Sequence, residues 1–252
     1  MPQSSCLVSK FSHYLNLTSQ EEALVRRLEQ VERPYRTGDV VRSEGAPVQE
    51  LFVVKRGWVA HCAHLGDGRR QVFDLQFPGD VVGTRDIVFD RASVTLTAAT
   101  DLVLCPFPKR ALDVLFERVP RIGALLFSFV ALDNVVVFDR LRAVARMQAA
   151  NRLGFFLLQI RSRLRITDRA VGDEFELPLG QALIGDALGL SQVHVNRTFR
   201  ELEAQGLVER TVRGRVRLDS ERLTRFADFS DRHYRIDTSW FPGPGDRAAP
   251  AP

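Results

Sequence analysis

Between Leu183 and Leu207 the stretch LIGDALGLSQVHVNRTFRELEAQGL spaces polar, recognition-capable side chains around a packing stripe. On a helix, Val195, Phe199 and Leu202 share one face, while Gln192, Val193, Asn196 and Arg197 lie on or beside the opposite one. Arg200 follows one turn further on. The chemistry open to this set is recognition of base edges and phosphates. The fork of Arg197 can engage O6 and N7 of a guanine together, and Val193 can touch a thymine methyl. Gln192 can read an adenine edge or hold a phosphate. Asn196 can bond a base or the backbone. His194 suits either a phosphate contact or capping and packing. Ser191 combines an N-cap with a phosphate contact.

These side chains need two elements to position them. Ile184, Ala187 and Leu188 recur at helical spacing in a first short helix, Gly189 offers a left-handed stop, and Ser191 opens the second helix. One helix braces and the next presents its N-terminal turns to a major groove, as in a helix-turn-helix. An ordinary helical hairpin has the same periodicity. The next segment, LVERTVRGRVRL, tips the balance. It is expected to form two short strands around Arg213-Gly214, with Arg210, Arg213, Arg215 and Arg217 clustered there as a wing suited to phosphates or the minor groove.

ALGLSQVHVNRTFRELEAQGLVER resembles the DNA-binding domain of the Crp/Fnr family of bacterial transcription regulators, and the similarity runs from about Arg33 to Leu223. GDVVRSEGAPVQELFVVKRGWV, with FPGDVVG after it, resembles the family's cyclic-nucleotide-binding β-roll. The resemblance implies a homodimer on an inverted-repeat site in double-stranded DNA, its two recognition helices roughly 34 Å apart. It also implies RNA polymerase as a protein partner. Arg197 falls where the family usually keeps an arginine for a guanine. Val193 stands where the family often has a glutamate, which implies a different half-site.

The rest of the chain is compatible with this. Its 252 residues are enough for two domains; 45% are hydrophobic and 26% charged, with a net charge of +4. The basic residues are almost all arginine, which coding bias in a G+C-rich genome explains better than nucleic-acid contact does. Cys6, Cys62 and Cys105 are too scattered for a disulfide framework and fit a reducing cytoplasm. No secretion leader is evident, and the apolar run Ile122 to Leu132 is too short to span a bilayer, so a cytoplasmic location away from membranes is expected.

The expected fold class is α+β. An N-terminal jelly-roll-like β-roll sensor domain covers 1–118, and a long dimerisation helix with a hinge near Gln148 covers 119–148. A winged helix-turn-helix domain covers 149–235, and a disordered tail covers 236–252. Within 1–118, Thr18 to Val31 is expected as a helix opened by a Ser19/Glu22 capping box; Met1 to Leu17 gives no signal. From Tyr35 to Phe107 short strands alternate with glycine turns, including Asp67-Gly68. The helix Arg121 to Met147 is apolar on two sides. Ile122, Leu125, Phe129, Leu132 and Val136 form one stripe, expected as the dimer interface; Phe127, Val130, Val137, Leu141 and Val144 form another. One side packs on the roll and the other meets its own copy; a wholly internal helix is the rival reading. Ser220 to about His233 is expected as a terminal helix.

The candidate effector pocket comprises Gly83, Thr84, Arg85, Arg91 and Ser93. In cyclic-AMP-binding members a glutamate follows the FxxGDxxG element, and an Arg-Ser pair grips the phosphate. Here those positions are Thr84 and Ala92-Ser93, so binding of cyclic AMP in that manner is not expected, and another small-molecule effector remains open. Cysteine number and spacing do not fit an iron–sulfur cluster. His61 and His64 stand three apart on a strand and point to opposite faces, so no metal site and no catalytic set is expected, and the chain is not expected to be an enzyme. The alternative to a DNA-binding regulator is a ligand-binding signalling module that acts through a protein partner.

Overall fold

The computed structural model describes residues 5–243. The chain opens with a helix that its sequence does not announce, α1 (Cys6–Tyr14). Ser5 caps it by accepting from Val8 N, and Leu7, Val8 and Phe11 are buried. In α2 (Ser19–Arg26) the capping box is Thr18 with Glu21, one residue earlier than the Ser19/Glu22 pair read from the sequence. Glu21 also binds Arg121, which fixes the choice. The helix tightens into a 3₁₀ turn at Arg27–Glu29 and ends there.

The roll follows: β1 (Arg33–Tyr35), β2 (Val40–Arg42), β3 (Glu50–Arg56), β4 (Val59–His64), β5 (Arg70–Gln76), β6 (Val81–Val82), β7 (Thr95–Ala98) and β8 (Leu102–Pro108). They form two antiparallel sheets, ordered β1-β8-β3-β6 and β2-β7-β4-β5. Phe52, Val54, Val59, Val82, Leu96, Leu102 and Leu104 fill the space between them. Gly57 turns β3 into β4 at φ +79, where a Cβ would meet the Asp101 carbonyl oxygen at 2.1 Å.

After α3 (Ala111–Arg118) comes α4 (Pro120–Arg146), with proline in its first turn. Its two apolar faces have different fates. Ile122 and Leu125 are wholly buried against α1, α2 and the roll; Val136 is buried too, and Phe129 packs on the same core as Ile122. Leu132 is half-buried. The stripe expected as the dimer interface instead packs largely within the protomer, because Arg121 and Arg140 on α4 bond to Glu21 and the Phe73 carbonyl and seat that side on the body. The outward stripe is Phe127, Val130, Val137, Leu141 and Val144. Among the described residues α4 is the one helix long and apolar enough to cross a membrane, a length the shorter apolar run in the sequence conceals.

α4 ends at Arg146 with Met147 as its C-cap, and α5 (Ala149–Thr167) follows with Gln148 as an extended N-cap. Then come β9 (Glu174–Glu176), α6 (Gln181–Leu188), α7 (Gln192–Ala204), β10 (Val208–Arg210), β11 (Arg215–Leu218) and α8 (Ser220–Phe226). The wing has three strands rather than two, ordered β10-β11-β9. α8 is shorter than the sequence suggested. Beyond it the chain returns to α1, where Tyr14 Oη donates to the His233 carbonyl at 2.6 Å. Ile236 and Phe241 pack on the α1–α4 core, so residues 236–243 are not the loose tail expected. Residues 244–252 of that tail lie outside the described residues. One core joins Trp58, Leu75 and Phe77 of the roll to Phe156, Leu188 and Phe199 of the winged part.

Candidate nucleic-acid interface

Gly189 closes α6 in the left-handed region at φ 67, and Leu190 N donates back to Gly185 O at 3.0 Å. A Cβ on Gly185 would stand 2.4 Å from the Leu190 carbonyl oxygen, so this turn needs glycine on the helix as well as after it. Ser191 Oγ accepts from His194 N at 3.2 Å and starts α7. Val195, Thr198, Phe199 and Leu202 are buried. Gln192, Val193, Arg197 and Arg200 are exposed, with Val193 at 79%. These four and Ser191 share the outer surface of the α7 N-terminal turns. His194 is half-buried.

Asn196 does not project freely. Its amide pairs reciprocally with that of Gln181 on α6, both bonds at 2.6 Å, and Arg210 Nη1 donates to its Oδ1 at 3.3 Å. Asn196 thus clamps the two helices together. Most of the wing arginines are also committed. Arg210 forms two 2.8 Å bonds to Glu203 and lies 5.0 Å over the Phe199 ring. Arg215 binds Glu174 at 3.0 Å, and Arg217 binds both Glu174 and Glu209 at 2.7 Å. These guanidiniums brace the wing through ion pairs. The Arg213 side chain lies outside what the structure describes.

The five effector-pocket residues fall in different settings. Gly83 (φ +98) begins a 3₁₀ turn over Thr84–Asp86. Thr84 and Arg85 line a cavity of about 630 Å³ between the roll, α3 and α4. Arg91 instead donates to Gly45 O at 2.8 Å, and Ser93 N donates to Asp86 Oδ1 at 3.0 Å. Beside Gly83, buried Arg42 pairs with Asp86 at 3.1 Å and fills the roll interior. The position the carboxylate would need is neutral Thr84, the arginine position is Ala92, and the buried guanidinium of Arg42 is paired with Asp86.

Sequence reasoning missed the ionic cluster next to this cavity. Asp74 on β5 is wholly buried and meets Arg85 at 2.6 Å, Arg163 of α5 at 3.1 Å and Arg140 of α4 at 3.3 Å. Arg163 also reaches Asp80 at 2.8 Å, and Lys10 of α1 binds Asp80 from the other side. Burial pushes the Asp74 carboxyl up, but Arg163, Arg140 and Arg85 outweigh it and hold the pKa well below the usual range. Asp133 of α4, 4.0 Å from Arg85, is raised to about 6 by burial and then by the charge of Asp74. His61 is pushed down to about 3 by burial and by Arg85, and neither of its ring nitrogens has a partner. Burial raises all three thiols, Cys105 to about 11, which disfavours reactive thiolates. No group of three or more metal-ligating side chains occurs among the described residues.

Comparison with known proteins adds a context. Residues 32–119 match the cyclic nucleotide-binding domain, and residues 151–226 match the Crp-like helix-turn-helix domain. The chain is 27% identical over 212 residues to the nitrogen fixation regulation protein FixK of Bradyrhizobium diazoefficiens, covering 83% of this chain and 88% of that one. It is 23% identical over 211 residues to the transcriptional activator protein Anr of Pseudomonas aeruginosa, with 82% and 86% covered. The solved structure of FixK2 from Bradyrhizobium japonicum superposes with a TM-score of 0.69 at 26% identity, covering 78% of this chain and 96% of that one.

Proposed function

The chain belongs to the Crp/Fnr family of transcription regulators, and from that premise we propose that it binds an inverted-repeat DNA site as a homodimer and regulates transcription there. The observation that carries this reading is the leading edge of α7. Gln192, Val193, Arg197 and Arg200 stand outward together on a helix anchored by Val195, Phe199 and Leu202. The outward apolar stripe of α4 supports pairing with a second copy, which would place two such edges on one face of a duplex. The buried charges that tie α4 to the roll support a cytoplasmic protein rather than a membrane-spanning one. Relatives named as transcriptional activators support RNA polymerase as the protein partner.

In this reading the sensor domain does not take cyclic AMP through a carboxylate and a guanidinium, which is supported by Thr84 at the glutamate position and Ala92 at the arginine position. A small-molecule effector of another chemistry fits the reading better. The test is genome-wide selection of bound fragments by the purified protein, followed by gel shifts at several salt concentrations. A palindromic footprint with affinity that falls steeply with salt is expected. Indifference to every duplex at low salt would overturn the proposal and favour a module that signals through protein contacts.

A further inference from the structure

The outward face of α4 repeats every seven residues. Phe127, Asn134 and Leu141 form one column, and Val130, Val137 and Val144 form a second, offset by three. All six are exposed in the single chain: Phe127 at 67%, Leu141 at 63%, Val137 at 45%, Val144 at 44%, Val130 at 36%, and Asn134 also in the exposed class. Columns a and d at this spacing are the seam of a two-stranded coiled coil, in which each helix inserts its side chains between those of a twin. Four of these residues, Phe127, Val130, Asn134 and Val137, also line the cavity between the roll, α3 and α4. Seam and cavity form one continuous apolar surface, and a second copy of the helix would cover both.

Asn134 is the one polar residue in this seam, in its middle at an a position. Buried between helices, an amide is costly unless another amide answers both its oxygen and its NH₂. Only one arrangement provides that answer: two parallel helices in register, with Asn134 opposite its own copy. A slip of one heptad sets it against Phe127 or Leu141. Antiparallel pairing centred on the seam sets it against Val137.

We propose that Asn134 is the residue that fixes the orientation and register of pairing between two copies of this chain, giving up affinity to do so. The inference rests on the homodimer reading above. Register matters because a one-heptad slip displaces one protomer by roughly 10.5 Å along the other, which breaks the twofold relation of the two α7 helices.

The experiment uses the full chain in a Cys6→Ser background. Cysteine is placed at seam position 137 (Val137→Cys) or 130 (Val130→Cys), and the two proteins are oxidised alone or after mixing and exchange. With Asn134 present, Val137→Cys should cross-link to itself, and the mixture should give no 130–137 bond. Asn134→Val should tighten the dimer at least tenfold by sedimentation and should let the 130–137 bond appear. Asn134 is exposed in the protomer, so its replacement leaves the protomer fold intact. An Asn134→Val dimer no tighter than the parent, or one that still excludes the 130–137 bond, would overturn the assignment while sparing the dimer. A parent protein that stays monomeric and never cross-links at 137 would overturn the homodimer reading itself.

Discussion

Arg197 and Arg217 look equivalent in the sequence and differ in the structure. Arg217 lies between Glu174 and Glu209, whereas Arg197 stands exposed on α7 with no ion pair among the described residues. Arg197→Ala should therefore cost about 1–3 kcal/mol on the cognate site and relax discrimination at one base pair, read from binding isotherms on base-substituted sites. Arg217→Ala should leave the salt slope of binding nearly unchanged, while Arg200→Ala lowers it by about one. Helical period alone revealed that Arg197 faces outward. It could not reveal the fate of Arg217, whose partner Glu174 lies 43 residues away on β9. His61 gives a second prediction at this scale. Its pKa falls from 6.5 to about 3 on folding, so below pH 6.5 the unfolded chain takes up a proton that the folded one refuses. Its contribution is complete above pH 6.5 and is lost as the pH falls towards 3. His61→Leu should therefore gain about 2 kcal/mol on the parent between pH 7.5 and pH 5 in urea unfolding.

Among the elements, the α6–α7 turn depends on a backbone approach that no side chain advertises. Gly185→Ala would press a methyl group against the Leu190 carbonyl oxygen. The expected cost is about 1–3 kcal/mol of stability by thermal unfolding, with loss of DNA binding at temperatures where the parent still binds. The glycine after the helix was legible as a stop signal. Gly185 was not, because the constraint comes from a carbonyl five residues on. The two apolar sides of α4 were legible in the same way, but periodicity does not say which side meets the roll; Arg121 and Arg140 decide that through partners distant in the sequence. α1 escaped notice because nine residues with three buried side chains give too short a periodic signal.

For the molecule as a whole, the separate units suggested by composition shifts give way to shared interiors. Asp74 belongs to the roll, Arg140 to α4 and Arg163 to α5, and they meet in one buried cluster. Asp74→Asn would take their common anion from Arg85, Arg140 and Arg163, at a cost of about 3–5 kcal/mol in denaturant unfolding. Its signature would be loss of coincidence between the unfolding of the roll, followed by Trp58, and that of the winged part, followed by its helical signal. This coupling was invisible in the sequence because the cluster gathers residues from segments 66 and 89 positions apart.

The two-residue joint at Met147 and Gln148 looks like a natural place to splice a foreign DNA-reading module onto this roll. The reach of Arg163 back to Asp74 and Asp80 argues otherwise. A chimaera cut there would lose the one guanidinium that bridges both carboxylates, leaving Asp74 to Arg85 and Arg140 and Asp80 to Lys10, unless the incoming helix carried its own arginine fifteen residues past the graft.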